Sequence, residues 1–511
     1  MLEPYVKKIL AARVYDVANE TPLQYARGIS ERLGRGFEVL LKREDLQPIF
    51  SFKLRGAYNR MAQLSARERA KGVIASSAGN HAQGVALAAR ELQIHAQVVM
   101  GRNTPSIKVQ AVRDLGAEVI LHGDGYDEAA AMARAVAQAE GRVLIHPYDD
   151  AQVIAGQGTV GVEIMNQCPD ADAVFVPVGG GGLIAGIGAY IKYLRPATRV
   201  IGVEAEGSAC LQAALAAGRR VRLPLETLDR FAEGVSVAQI GRLPFKIARA
   251  CVDDVVTVST DEICGAVKDV FDDARSVAEP AGALAIAGLK KAVESGRLPA
   301  RRGGKRRCVA IISGANVNFD RLRHISERAE VGEQREVVLG VTIDEQAGSF
   351  RRFCRVLGSH GVTEFNYRFA DADRAHIFVG LQVASADDRE AVTERLGAAG
   401  YPVVDMTDNE TAKLHVRHMV GGHAFRAKPE LLYRFEFPER PGALLEFLEG
   451  LGSHWNITMF HYRNHGSAWG RVLAGFEAGP QERSALSEYL DRIGYRYWEE
   501  TGNPAYELFL R

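Results

Sequence analysis

The chain has 511 residues, which is enough for three or four domains that each bury a core of their own. Hydrophobic residues make up 47% of it and charged residues 25%, and the 63 basic side chains balance the 63 acidic ones. A neutral chain of ordinary composition gives no reason to expect a nucleic acid or an anionic membrane as a partner.

The six cysteines are scattered along the chain without a metal-binding spacing, which favours free thiols in a reducing compartment. The first residues show neither a signal nor a transit pattern, and no segment approaches the ~18 apolar residues of a membrane span. We therefore expect a soluble cytoplasmic protein without a structural metal.

From about residue 37 to residue 320, short apolar strands alternate with amphipathic helices. Strands are predicted over 73–76, 96–100, 118–122, 143–146, 173–178, 200–204 and 309–312. Helices are predicted over 80–92, 105–115, 126–140 and 151–166. This alternation predicts an α/β fold with parallel sheets in two lobes, and ligands of such folds bind at the carboxyl ends of the strands.

Lys53 stands in the segment Ser-Phe-Lys-Leu-Arg-Gly-Ala at 51–57, at the predicted start of a helix. A lysine that attacks a carbonyl carbon must first lose its proton, and a helix N-terminus beside Arg55 would lower its pKa. Taken alone, such a lysine is a surface charge. The motifs that follow give it a role as a reactive amine.

The segment Ser76-Ser77-Ala78-Gly79-Asn80-His81 joins a predicted strand to a predicted helix. Its small residues leave backbone N–H groups open to an anion, and the helix dipole favours negative charge there. We expect this loop to hold the carboxylate of an amino-acid substrate, with the Asn80 amide directed at a cofactor ring. We interpret His81 as structural, because nothing else in the loop pairs with it.

Four glycines, Gly179, Gly180, Gly181 and Gly182, and then Leu183 join the strand 173–178 to the next helix. Backbone N–H groups without side chains in the way bind phosphate well. The same glycines also fit a dinucleotide fingerprint, with Glu204 about 20 residues later in the position of a ribose ligand. A nicotinamide-dependent dehydrogenase is therefore an alternative, although it leaves Lys53 and the 76–81 loop without a function.

Ser313 follows the strand predicted over 309–312. A reactive amine, an amide-bearing loop, a phosphate turn and a lone hydroxyl are the groups needed to hold pyridoxal 5'-phosphate, with Lys53 in a Schiff base and Ser313 at the pyridine nitrogen. A hydroxyl does not keep that nitrogen protonated as an aspartate would, so the ring is a weaker electron sink. This favours elimination over transamination.

Beyond Arg323, a charged segment leads into a sequence that repeats itself with an offset of 94 to 95 residues, as Gly348 and Tyr367 recur at Gly442 and Tyr462. Each copy predicts a βαββαβ sandwich. Neither copy carries a cluster of catalytic side chains, which leaves two interpretations open, a dimerisation module and a sensor of a small ligand.

The four motifs together are similar to those of the pyridoxal-phosphate-dependent fold type II family, in particular its biosynthetic threonine dehydratases, and the resemblance covers essentially the whole chain. It implies that Lys53 is the Schiff-base lysine, with Phe52 and Asn80 beside the cofactor ring. It also implies that residues 179–183 bind the phosphate and that Ser313 meets the pyridine nitrogen.

The resemblance further implies a two-lobed catalytic domain over 1–322, a linker over 323–335 and two ACT-like regulatory subdomains over 336–420 and 430–511. Such enzymes convert L-threonine, and in some cases L-serine, to the keto acid and ammonia. They open isoleucine biosynthesis as homotetramers that isoleucine inhibits, and valine opposes this inhibition. Another pyridoxal-phosphate lyase or racemase, or a non-catalytic amino-acid-binding protein, remains an alternative.

Some relatives bind a cation near the segment 204–210. This chain offers only the acid pair Glu204 and Glu206 there, without a clear third ligand, so we expect no metal.

Overall fold

The computed structural model describes residues 2–503 apart from residues 103, 124–125, 226–227, 230, 302–303, 320, 333–334, 347, 359, 369–372, 410–411, 413–415, 417–428, 439–442, 452–454 and 464–468. The chain divides into two compact units, a first unit Met1–Ala329 and a second unit Glu330–Arg511. Within the described part of the chain, none of the helices combines the length and the apolar character needed to cross a membrane.

Six strands of the first unit form one sheet: β1 (Leu23–Tyr25), β2 (Phe37–Arg43), β7 (Ala173–Pro177), β8 (Arg199–Ala205), β9 (Asp254–Val258) and β10 (Arg306–Ile312). Their order across the sheet is β1-β2-β10-β7-β8-β9. Only the edge strand β1 is antiparallel to its neighbour, and the other pairs are parallel. Parallel strands buried on both faces have continuous apolar sequences, which is why the sequence predicted β7, β8 and β10. The strands β1, β2 and β9 were not predicted.

Four further strands form a smaller parallel sheet: β3 (Val73–Ser76), β4 (Ala96–Met100), β5 (Glu118–Leu121) and β6 (Val143–Leu144). Their order is β5-β4-β3-β6. The strands predicted over 73–76 and 96–100 are confirmed at both ends, and the strand predicted over 143–146 ends two residues earlier. The two sheets are the cores of the two predicted lobes, so the predicted α/β fold is confirmed.

Fourteen helices of the first unit connect and cover these sheets among the described residues. They are α1 (Glu3–Leu10), α2 (Arg27–Leu33), α3 (Lys53–Ala62), α4 (Ala66–Lys71), α5 (Asn80–Leu92), α6 (Ser106–Asp114), α7 (Tyr126–Glu140), α8 (Ala151–Gln167), α9 (Gly182–Leu194), α10 (Cys210–Ala217), α11 (Arg242–Cys251), α12 (Thr260–Ala274), α13 (Pro280–Glu294) and α14 (Arg321–Gly332).

The core of the first unit lies on both faces of the six-stranded sheet. Along β7, Ala173 and Phe175 belong to one cluster of buried side chains, whereas Val174 and Val176 belong to another. This division follows from the two-residue period of a strand, which turns successive side chains to opposite faces. The sheet is therefore rigidly enclosed, and its strand ends are suited to hold a site.

The second unit is built from two successive βαββαβ copies, as the repeat predicted. The first copy contains β11 (Glu336–Asp344), α15 (Ser349–Leu357), β12 (Val362–Arg368), β13 (Arg374–Gln382), α16 (Ala386–Ala398) and β14 (Val403–Asp405). The second contains β15 (Glu430–Pro438), α17 (Ala443–Leu451), β16 (Ile457–Arg463), β17 (Trp469–Glu477), α18 (Arg483–Ile493) and β18 (Arg496–Glu499).

The two copies share one eight-stranded antiparallel sheet because β12 pairs with β16. Phe365 pairs with Tyr462, and Tyr367 pairs with Phe460, so equivalent residues of the two copies meet around a local twofold centre. Their rings lie in one buried cluster that spans both copies. The two copies are therefore one folded body.

Candidate active site

Lys53 is the first residue of α3, and a strained turn brings it against the end of β10. Phe50 has a φ of +56°, an uncommon backbone conformation for a residue with a side chain. After this turn, Ser51 forms a β-bridge with Gly314, and Phe52 N–H donates to the Ser313 carbonyl at 3.3 Å. Residues far apart in sequence, Lys53 and Ser313, are thus held side by side.

The Lys53 amine sits 5.0 Å from the centre of the Phe52 ring. Burial lowers the pKa of the amine to about 8, and the Glu279 carboxylate, which raises this pKa, offsets only part of the shift. At this pKa about a tenth of the amine is neutral at pH 7, far more than for an exposed lysine, and nucleophilic attack requires this neutral form.

Arg55 does not contribute to this shift in the way that the sequence suggested. Its guanidinium is fully buried and forms ion pairs with Glu44 at 2.8 Å and Glu163 at 2.5 Å. Lys42 also pairs with Glu163, at 2.6 Å. Since two carboxylates neutralise Arg55, its function in this site is to anchor α3, and burial is the cause of the lowered pKa of Lys53.

The 76–81 loop runs from the end of β3 to the start of α5, as predicted. The Ser76 hydroxyl is buried and finds no hydrogen-bond partner among the described residues, so it is available to a bound group. The ring of His81 bonds the Ile145 carbonyl at 2.9 Å, and burial lowers its pKa to about 3. A permanently neutral imidazole is consistent with a structural role for His81.

Asn80 is held by hydrogen bonds on both sides of its amide. Its Nδ2 donates to Glu279 Oε1 at 2.6 Å, and its Oδ1 accepts from Asn316 Nδ2 at 2.7 Å. These partners come from the start of α13 and from the turn after β10. The amide orientation is therefore set by parts of the chain more than 190 residues away.

The glycine run turns from the end of β7 into α9, and side chains have no room there. Gly181 has a φ of +87°, which favours glycine. A Cβ on Gly180 would lie 2.2 Å from the Tyr148 ring, and one on Gly179 would lie 2.9 Å from the Val235 Cα. A turn of bare backbone at a helix N-terminus is a site for a phosphate group.

Ser313 lies directly after β10 and is almost completely buried. Its hydroxyl donates to the Ala281 carbonyl at 3.2 Å, at the start of α13. Because the hydroxyl has one hydrogen, donation to an unprotonated ligand nitrogen would replace the bond to Ala281.

Members of all four motifs line one pocket of about 430 Å³, which includes open solvent space. Residues 76–79 and His81 are not among its lining residues. The lining residues are Phe52, Lys53, Asn80, Tyr148, Pro177, Gly179, Gly180, Gly181, Gly182, Leu183, Gly234, Val235, Glu279, Ala281 and Ser313.

Six lining residues were missed by the sequence analysis: Tyr148, Pro177, Gly234, Val235, Glu279 and Ala281. Tyr148 follows β6 closely, so its position at the carboxyl end of a parallel strand was a usable signal. Glu279 and Ala281 lie at the start of α13, and the pair Gly234–Val235 lies in a short 3-10 helix. No motif in the sequence marked these positions.

These residues fit pyridoxal phosphate. A lysine of lowered pKa, a glycine turn without side chains, an amide and a buried hydroxyl match its aldehyde, phosphate, ring oxygen and ring nitrogen. The dinucleotide alternative fits less well, because the Glu204 carboxylate accepts the backbone N–H groups of Leu211 and Gln212 at 2.7 and 2.8 Å. In the described part of the chain, no three His, Cys, Asp or Glu side chains are grouped to hold a metal ion.

Comparisons with known proteins agree with this geometry. Residues 14–314 match the family described as pyridoxal-phosphate dependent enzyme. Residues 327–416 and 421–510 each match the C-terminal regulatory domain of threonine dehydratase. The two regulatory matches coincide with the two copies in the second unit.

The chain is 52% identical to the L-threonine dehydratase biosynthetic IlvA of Escherichia coli strain K12, over 99% of this chain and 97% of that relative. It is 48% identical to the mitochondrial threonine dehydratase of Saccharomyces cerevisiae, over 99% of this chain and 89% of that relative.

Among solved structures, the processed threonine deaminase isoform 2 of Solanum lycopersicum is 47% identical, with a TM-score of 0.61 over 64% of this chain and 93% of that chain. A serine racemase of Dictyostelium discoideum is 31% identical, with a TM-score of 0.56 over 61% of this chain and 99% of that chain.

Proposed function

This chain belongs to the pyridoxal-phosphate-dependent biosynthetic threonine dehydratases, and we propose that it converts L-threonine to 2-oxobutanoate and ammonia as the first step of isoleucine biosynthesis. The observation that carries the proposal is the convergence of Lys53, Asn80, the glycine turn and Ser313 on one pocket. A dinucleotide-binding function would leave Lys53 and Ser313 without a role.

Different pocket residues would contact different parts of the cofactor. Lys53 would hold it covalently, Phe52 and Asn80 would contact its ring, residues 179–183 would bind its phosphate, and Ser313 would meet its pyridine nitrogen. When bound, pyridoxal phosphate withdraws electrons from the substrate Cα and so makes the Cα proton acidic.

The chain's own groups then bind and deprotonate the substrate. Backbone N–H groups of the 76–81 loop and the unpaired Ser76 hydroxyl would hold the threonine carboxylate, at the N-terminal end of α5. When the substrate amine takes the place of the Lys53 amine, Lys53 is free to act as a base. Its amine, with a pKa of about 8, then removes the Cα proton near neutral pH. The Cβ hydroxyl takes up a proton, which balances the proton lost from Cα, and leaves as water. Addition of water to the resulting imine then gives 2-oxobutanoate and ammonia.

L-serine is the second substrate that we propose. Elimination needs a leaving group at Cβ and an acidic Cα proton, and the substrate's methyl group takes part in neither step. The relative rates with threonine and serine depend on how the pocket walls contact that methyl group.

For the second unit, we propose that the two ACT-like subdomains sense branched-chain amino acids, with isoleucine as inhibitor and valine as its antagonist. A ligand shifts a conformational equilibrium only through different affinities for the two states. We further propose a homotetramer in the cytoplasm, with a catalytic domain over 1–322 and subdomains over 336–420 and 430–511. The segment 323–335 connects them, and its first part is helix α14.

The proposal is tested by the absorbance spectrum of the purified protein before and after addition of L-threonine. We expect a visible cofactor band that changes while keto acid accumulates. Lys53→Ala should lose this band and reduce turnover by orders of magnitude. If the Lys53→Ala protein still eliminated water from threonine at the wild-type rate, the assignment of the lysine would be wrong.

A further inference from the structure

Glu279 is the acidic side chain among the residues that line the pocket, and the function described so far does not use it. It directly precedes α13, and only 9% of it is exposed. A carboxylate enclosed to this degree is costly unless it has partners or a function.

The backbone around Glu279 is shaped to bring its carboxylate into the pocket. Its N–H donates to the Gly314 carbonyl at 3.1 Å. A Cβ on Gly282 would lie 2.1 Å from that carbonyl oxygen, and a Cβ on Gly314 would lie 2.6 Å from Glu279 Oε1. The start of α13 can approach the turn after Ser313 only because both positions are glycine.

The carboxylate then acts on the Asn80 amide. Glu279 Oε1 accepts from Asn80 Nδ2 at 2.6 Å, while Asn316 Nδ2 donates to Asn80 Oδ1 at 2.7 Å and to the Ile49 carbonyl at 2.8 Å. Because Glu279 accepts and Asn316 donates, the amide nitrogen of Asn80 must face Glu279 and its oxygen must face Asn316. The second hydrogen of Nδ2 remains for the 3-oxygen of a pyridoxal ring.

The charged groups that act on Glu279 come from several elements: Lys53 of α3, Lys108 of α6 and Glu233 of the 233–235 turn. Burial raises the pKa of Glu279 to about 7, and Asn80 and the two lysines act in the opposite direction. Burial lowers the pKa of Lys53 to about 8. The acid and the amine thus change charge in the same pH range.

We propose that Glu279 is a positioning residue of this active site, which fixes the Asn80 amide against the cofactor ring and sets the pH at which the nitrogen joining Lys53 to the cofactor takes up a proton. The inference rests on the proposed function. An anionic carboxylate near this nitrogen favours its protonated form, so removal of the negative charge lowers the nitrogen's pKa.

Two substitutions separate the two effects. Glu279→Gln keeps an oxygen acceptor for Asn80 and removes the charge, whereas Glu279→Ala removes both. We expect Glu279→Gln to lower the pKa of the visible band by about one unit or more, with little change in cofactor affinity. Glu279→Ala should lower it as well and weaken cofactor binding about tenfold, as measured by titration of the apo protein.

Glu279→Asp and Glu204→Gln serve as controls. The aspartate restores the charge and should return the pKa of the band towards the wild-type value. Glu204 is a second buried carboxylate whose pKa burial raises to about 7, but it caps α10 and does not line the pocket. Its substitution should leave the pKa of the band unchanged.

Each outcome decides a different question. A wild-type protein that shows no visible band with pyridoxal phosphate refutes the proposed function. A wild-type band with an unchanged pKa in Glu279→Gln refutes only the inference about Glu279. If neither variant folds, infrared difference spectra of the wild-type holoenzyme must show a buried carboxyl group that titrates together with the visible band, and its absence overturns the inference.

Discussion

The Lys53 amine shows how burial alone can prepare a residue for its reaction. Its pKa is lowered to about 8 because it lies in an enclosed pocket, although Glu279 attracts its proton. An exposed lysine, with a pKa of about 10.4, would be almost fully protonated at neutral pH. Burial therefore raises the fraction of reactive amine by about two orders of magnitude.

This pKa predicts how cofactor attachment depends on pH. Only the neutral amine reacts with an aldehyde, so the rate constant for attachment of pyridoxal phosphate to the apo protein should rise about tenfold per unit up to pH ~8 and level off above it. Stopped-flow absorbance between roughly pH 6 and 9 measures this rate. Pyridoxine phosphate has no aldehyde, so its binding rate should show no step near pH 8; a step of equal size with both ligands would contradict the assignment to Lys53.

Arg55 makes the strongest prediction about stability. Its removal leaves Glu44 without its ion-pair partner in the core and leaves Glu163 with only Lys42. Arg55→Leu should therefore destabilise the first unit by about 3–5 kcal/mol, since an uncompensated buried charge is costly. Urea unfolding followed by the cofactor absorbance measures this loss.

Arg307 is the matched control for this experiment, because its ion pair with Asp170 at 2.7 Å is solvent-exposed. Arg307→Ala should leave the unfolding midpoint nearly unchanged. Equal effects of the two substitutions would show that the buried network does not anchor α3.

Among the elements, the turn between β7 and α9 leaves little room for a side chain. Tyr148 packs against this turn, and a Cβ on Gly180 would lie 2.2 Å from its ring. Hypothetical Cβ atoms on Gly182 and Gly241 would also lie within 3.1 Å of Tyr148. The ring is thus enclosed on several sides and cannot easily move away.

Gly180→Ala should therefore displace the turn and weaken cofactor binding at least about tenfold, since the N–H groups would no longer converge on the phosphate. Fluorescence titration of the apo protein with pyridoxal phosphate measures the change. Gly304→Ala is the control, because no atom lies within 4 Å of its hypothetical Cβ. Wild-type affinity in Gly180→Ala would rule out the glycine turn as the phosphate site.

At the scale of the whole molecule, the packing of α14 determines at which residue the chain can be cut between the two units. The sequence placed a linker over 323–335, and residues 321–332 form this helix. Ile325 and Ala329 are buried in the core cluster that α12 and α13 share with the six-stranded sheet, and Arg328 pairs with Asp261 of α12. Most of α14 thus belongs to the fold of the first unit.

A chain that ends at residue 332 should keep threonine elimination and lose its response to isoleucine. A chain that ends at residue 323 should lose stability as well, because it lacks the buried side chains of α14. Initial rates with and without isoleucine, together with thermal unfolding, distinguish these outcomes. Inhibition that persists in the chain ending at residue 332 would refute the proposed regulatory function of the second unit.

Much of the fold and part of the site were predictable from local sequence. The strands 73–76 and 96–100, the helices 80–92 and 126–140 and the repeated βαββαβ pattern follow from periodicity and turn residues. Lys53, Asn80, the glycine run and Ser313 were recognised because each stands in a short motif at a strand or helix end. Such signals lie within a few residues of one another, so a single chain displays them.

What the sequence determined by itself is therefore the set of elements, the repeat and the reactive groups at the element ends. The tertiary structure alone decided that Glu279 holds Asn80, that Tyr148 covers the glycine turn and that Arg55 anchors α3 instead of activating Lys53. The reason is physical: these contacts join residues about 30 to 200 positions apart. Burial, which sets the pKa of Lys53, also depends on all the elements that surround the pocket, and no local pattern records it.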